Sequence, residues 1–161
     1  MGLNIKMYEV EEEKFFDSIS KKEINQITPY HVAFEDFHKN YIFMDWLNKY
    51  MGFELDPCEL ICYPAMIEAF LNDYEIAARA FNSYLDRNNK VTPEGEKIIE
   101  EYFPRKWNKY DRTPGDTKKL HVFDHYDYSD LLDVRRAFKG FLNSGKFYHN
   151  EEKKFILSIG Y

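Results

Sequence analysis

Apolar residues recur at helical spacing through the middle of the chain and alternate with polar ones at its two ends. Between Pro29 and Met51, the positions Tyr30, Phe34, Phe37, Tyr41 and Met44 fall three or four apart, and Ile42, Trp46 and Tyr50 widen the stripe. This spacing predicts a long first helix stopped by Gly52. A second stripe of Met66, Phe70, Tyr74, Ala77, Phe81 and Tyr84 predicts a helix reaching about Asp86. It begins at Pro57, with Pro64 either kinking or restarting it. A third helix covers Pro93 to Phe103 and is ended by Pro104. The starts share one signature, a capping oxygen followed by a proline whose missing N–H is not needed in the first turn. It occurs at Thr28-Pro29, at Asp56-Pro57 with Glu59 completing a capping box, and at Thr92-Pro93. Ser20 with Glu23 offers a weaker start for a short helix.

The ends carry the period of two that marks strands. Leu3, Ile5 and Met7 alternate with Asn4 and Lys6, residues 119–126 suggest a second strand, and Phe155, Leu157, Ile159 and Tyr161 a C-terminal one. Residues Lys146 to His149 are expected to pair with this last strand through a turn at 150–153. A helix from Asp130 to Asn143 points Leu131, Val134, Phe138 and Phe141 inward, with Gly145 past its end. The expected fold class is therefore α+β, a helix-rich centre with a small antiparallel sheet built from N- and C-terminal strands. With no repeat, linker-like stretch or biased tract, residues 1–161 read as a single domain.

Composition adds one anomaly: 14 Phe, 13 Tyr and 2 Trp make 18% of the chain. Tyr and Trp combine large rigid area with a polar handle, so a surplus suggests interface anchors as well as core. By their polar neighbourhoods Trp107, Tyr110, Tyr126, Tyr128 and Tyr148 are the expected partner-binding rings, with Tyr50 a sixth. The net charge of -6 is uneven. Residues 1–104 carry 10 Lys and Arg against 20 Asp and Glu, whereas 105–161 carry 12 against 8. No apolar run approaches the roughly 20 residues that cross a bilayer, so no membrane partner is expected. No basic region followed by an apolar core opens the chain, and Lys6 stands where myristoylation favours Ser or Thr. A cytoplasmic protein is expected.

Three clusters invite chemistry. His31, Glu35 and His38 share a helical face, but the Glu-x-x-His half-motif of di-iron bundles lacks its second unit. On a strand over 119–126, His121, His125 and Asp127 would share one face and could hold a divalent cation that activates water. This makes a metal-dependent hydrolase one alternative, although Asp127 and Asp130 also suit the start of the next helix. The segment from Asp86 to Glu94 lacks the glycine and bidentate glutamate of a calcium loop, and Thr92 explains it better as a cap. Cys58 and Cys62, among Leu60, Ile61 and Tyr63, read as buried free thiols. No Gly-rich phosphate loop, nucleophile elbow or dinucleotide fingerprint is present, which favours a binding protein over an enzyme and implies no cofactor.

The basic third supplies the other alternative. Arg105, Lys106, Lys109, Arg112, Lys118 and Lys119 interleave with aromatics, and Arg135, Arg136 and Lys139 lie off the apolar stripe of their helix. Followed by a hairpin with Lys153 and Lys154 at its tip, this outlines a winged-helix-like nucleic-acid binder, against which Asp124, Asp127, Asp130 and Asp133 would repel phosphate. The leading expectation is a protein partner. It makes the chain a small regulator or inhibitor of the immunity-protein or defence-antagonist kind, acting through aromatic anchors in an acidic rim.

Overall fold

The computed structural model describes residues 3–11, 31–32, 37–38, 40–104, 125–143 and 153–160. The fold is α+β. Strands β1 (Asn4–Glu11), β2 (His31–Val32), β3 (Phe37–His38), β4 (Cys58–Ile61) and β5 (Lys153–Gly160) accompany helices α1 (Tyr41–Met51), α2 (Pro64–Ser83), α3 (Pro93–Tyr102) and α4 (His125–Asn143). The residues group into two compact units, neither contiguous in sequence: 1–39, 55–67 and 137–161 in the first, 40–54 and 68–136 in the second. Among the described residues no helix is long and apolar enough to cross a membrane.

The first unit holds one antiparallel sheet in the order β2-β1-β5-β4, with β3 also on β1. The alternation read at both termini is the register of its centre. Ile5 faces Ile159 and Met7 faces Leu157, and all four are buried. Leu60 and Cys58 continue these rows on β4, and Phe37 continues the Ile5 row on the other side. On the opposite face Lys6, Ser158 and Glu59 form one polar row, and Ile156 and Ile61 lie in the next. Ile156 and Leu157 are adjacent and both buried, so β5 is covered on both faces at this point.

Three expected elements differ. The long helix from Pro29 is replaced by two short strands on β1, and α1 starts only at Tyr41. Thr28 and Pro29 themselves lie outside the described residues, as do Ser20 and Glu23. Asn40 caps α1 instead: its Oδ1 accepts from the Phe43 N–H at 3.1 Å, and its Nδ2 donates to the Asp130 carbonyl at 3.0 Å. A buried Asn that satisfies both halves of its amide holds this start more firmly than an exposed cap would. The stop is as expected, with Gly52 at φ 82 and its N–H on the Asn48 carbonyl at 2.9 Å.

Pro57 likewise starts no helix. Cys58–Ile61 is a strand, and the second helix begins afresh at Pro64. A helix from Pro57 would have carried Pro64 into its own third turn, where the ring clashes with the carbonyl four residues back. Pairing with β5 satisfies that backbone without the clash, and Glu59 accepts from Ser158 Oγ at 2.6 Å rather than closing a capping box. Finally, α4 begins at His125, so the strand expected over 119–126 fails at 125–126; residues 119–124 lie outside the described ones. The C-terminal hairpin expected from Lys146 to His149 falls on residues outside the described ones; the described partners of β5 are β1 along 153–160 and β4 along 156–159.

Candidate binding surface

The second unit is built around rings. Trp46 stacks on Phe43 at 6.0 Å and on Tyr50 at 5.3 Å, and meets the edge of Phe70 at 5.0 Å. Phe70 in turn meets Phe43 at 5.5 Å and Phe103 at 5.8 Å, both edge-on. Such geometry sets the positive edge of one ring against the negative face of another. The indole N–H is not stranded by burial, since Trp46 Nε1 donates to Asp73 Oδ2 at 2.9 Å. Farther along α2, Tyr128 stacks on Phe81 at 4.4 Å and reaches Tyr74 at 6.0 Å. Burial first, then the hydrogen bond and charge of Tyr128, push the Tyr74 phenol far above its ordinary range. Arg135 lies over the Tyr74 ring at 5.2 Å and bonds Glu75 Oε1 at 3.1 Å.

These contacts revise the expected sites. Tyr128 is half-buried and stacks on Phe81. Tyr126 lies on α4, while Trp107, Tyr110 and Tyr148 lie outside the described residues. Arg135 is engaged by Glu75 and Tyr74, whereas Arg136 and Lys139 are exposed. The other basic candidates, Arg105, Lys106, Lys109, Arg112, Lys118 and Lys119, lie outside the described residues. Lys153 and Lys154 are ladder positions opposite Glu11 and Val10, not a wing tip. His121 also falls outside the description. His125 and Asp127 sit in the first turn of the helix α4, not on the strand assumed for a cation site. Among the described residues no group of three His, Cys, Asp or Glu could hold a metal. Burial raises both thiols, Cys62 most; at Cys58 it acts with the charges of Glu59 and Asp56. Neither offers a ready thiolate. Cys62 is buried as expected, but Cys58 only half so.

Among the described residues the exposed large apolar side chains are Tyr50, one of the rings expected there, with Phe53, Tyr63, Tyr84 and Leu85. Tyr84 and Leu85 are held in a tight turn after α2. Leu85 bridges Val91, and the Thr92 N–H donates to the Tyr84 carbonyl at 2.7 Å. Asp86 Oδ1 accepts from the Asn88 and Lys90 N–H groups at 2.7 and 3.0 Å, and Asn89 takes the left-handed conformation at φ 57 that Asn tolerates. The first turn of α3 lies hard against this turn at Gly95. A Cβ there would stand 2.6 Å from Tyr84 Cβ and 2.8 Å from Val91 Cγ1. Beside it a shallow groove of about 250 Å³ is lined by Ile76, Arg79, Ala80, Ser83, Tyr84 and Ile98.

Sequence periodicity missed this surface because Tyr84 continues the apolar stripe of α2, whereas the helix stops at Ser83. The usable signal was Asp86 through Thr92, a run of turn formers that must end the helix before it. No family model, curated protein or solved structure matches the chain.

Proposed function

We propose that the protein is a protein-binding regulator or inhibitor, and that the groove between α2 and α3, with Tyr84 and Leu85 at its rim, is its contact surface. The observation that supports this most is the rigid presentation of two large exposed side chains beside an apolar groove. A ring fixed in advance loses little entropy on binding, which is what makes aromatic anchors effective. Residues 86–101 carry Asp86, Glu94, Glu96, Glu100 and Glu101 against Arg87, Lys90 and Lys97, an acidic rim that steers a basic partner.

The test is affinity capture from the native cell with three baits: the natural chain, Tyr84→Glu and Tyr63→Ala. One protein should be held by the natural chain and by Tyr63→Ala but lost with Tyr84→Glu. Truncating a central anchor is expected to weaken binding by at least about 2 kcal/mol, roughly thirtyfold. Retention of every captured protein by a folded Tyr84→Glu chain rejects the assignment of this groove.

A further inference from the structure

Among the described residues the sheet of the first unit ends at β4. β5 occupies its inner edge along Cys58–Ile61, and among the described residues no strand pairs with the outer one. An antiparallel ladder uses the N–H and C=O of alternate residues, so half of the β4 backbone groups point away from β5. A row of donors and acceptors at strand spacing is complementary to one kind of object, another extended backbone. Pro57 and Pro64 bracket the site, and neither carries an N–H. They limit an added ladder to one short segment and so prevent open-ended stacking while leaving the four strand residues Cys58–Ile61 available.

The side chains narrow the occupant. Cys58 and Leu60 lie in the rows of buried Ile159 and Leu157, so a strand beside them would set apolar side chains on that face. On the other face the row runs Lys6, Ser158, Glu59 and ends on a carboxylate, which accepts from Ser158 Oγ at 2.6 Å. Opposite charges directly across two strands attract and like charges repel. A second copy paired about Glu59 would set two carboxylates side by side, which disfavours self-pairing there. An alternating segment with Lys or Arg opposite Glu59 meets both faces. We propose that the outer edge of β4 is a strand-addition site for an extended segment of a partner protein, one alternating apolar and basic side chains.

This proposal shares with the proposed function only the premise of a protein partner, and a different surface carries it. The test titrates the full, isotope-labelled chain with the acetylated, amidated pentapeptide Thr-Val-Lys-Val-Thr and follows the backbone amides by NMR. The amides of Cys58–Ile61 should shift and exchange more slowly. Replacing the central Lys by Glu should weaken binding about tenfold. Methylating alternate peptide nitrogens, in whichever phase faces β4, should weaken it by a similar factor. Glu59→Gln should level the Lys and Glu peptides while keeping the methylation penalty, and Tyr84→Glu should leave all of these values unchanged. Shifts confined to other residues, equal affinity for the two peptides, or no response at millimolar peptide would each overturn the proposal. So would a dimer in sedimentation whose β4 amides are already protected, since a second copy would then occupy the edge.

Discussion

The two units solve the burial of polar groups in opposite ways. In the second, rings carry the core and their polar handles find local partners: Trp46 on Asp73, Tyr74 on Tyr128 and under Arg135. In the first, a strict cross-strand register sorts residues into apolar rows and one polar row, Lys6, Ser158 and Glu59. Ring packing is tolerant of where each ring sits along the chain. A ladder is not, because a slip of one residue exchanges its two faces. The helical unit therefore depends on volume and the sheet on alignment, and substitutions should fail differently in each.

The largest effect is expected at the centre of the ring cluster. Trp46 is 1% exposed, and Trp46→Ala removes the ring that touches Phe43, Tyr50 and Phe70. Chemical denaturation should show a loss of about 3–5 kcal/mol. Near-ultraviolet circular dichroism should lose the signal of packed rings. A loss under 1 kcal/mol would mean that the cluster does not carry the unit.

Gly95→Ala comes next. Alanine favours a helix by about 1 kcal/mol over glycine, but its Cβ meets Tyr84 Cβ and Val91 Cγ1 well inside contact distance. Overpacking should win, with a net cost of about 1–3 kcal/mol. The turn should shift, read as altered NMR signals at Tyr84 and Leu85. Equal or higher stability would show that α3 can move away freely. A smaller change is expected from Lys49→Met. Lys49 Nζ donates to the Glu101 and Tyr102 carbonyls at 2.8 and 3.2 Å, where α3 ends and its dipole is negative. Removing that cation should cost about 0.3–1 kcal/mol, and salt should reduce the difference.

The smallest effect tests the sheet. Burial raises the Glu59 carboxyl above its ordinary 4.5, and the Ser158 hydrogen bond only partly opposes this. A native carboxyl with a raised value binds its proton more tightly than the unfolded chain does. Its contribution is therefore most favourable below the unfolded value and declines as pH rises through the folded one. Glu59→Gln removes this titration while keeping an acceptor for Ser158. Relative to the natural chain the variant should gain stability as pH rises from about 4 to 7, measured by denaturant unfolding at each pH. A difference independent of pH would place Glu59 in a solvated setting.

Where local chemistry is strong, the elements could be read from the residues themselves. Thr92-Pro93 caps α3, with Thr92 Oγ1 accepting from Gly95 N at 3.4 Å. Thr28-Pro29 and Asp56-Pro57 carry the same signature, yet strand pairing took 31–32, 37–38 and 58–61. The candidate site was less legible. Tyr128 reads as exposed among Asp127, Ser129 and Asp130, and Tyr74 and Phe81, distant in the chain, half-bury it. Tyr84 reads as core, but the helix ends at Ser83 and the turn that follows leaves it exposed.

The sequence by itself determined the fold class, the terminal strands with their period of two, the stripes of α2 and α3, and the absence of a linear catalytic motif. Those are local properties, fixed by side chains within a few residues of one another. Tertiary structure decided which of three similar Pro starts begins a helix, which rings reach solvent, and which strands pair. Each of these depends on a partner distant in the chain, and a hydrogen bond or contact offered from afar outweighs a local preference of about 1 kcal/mol.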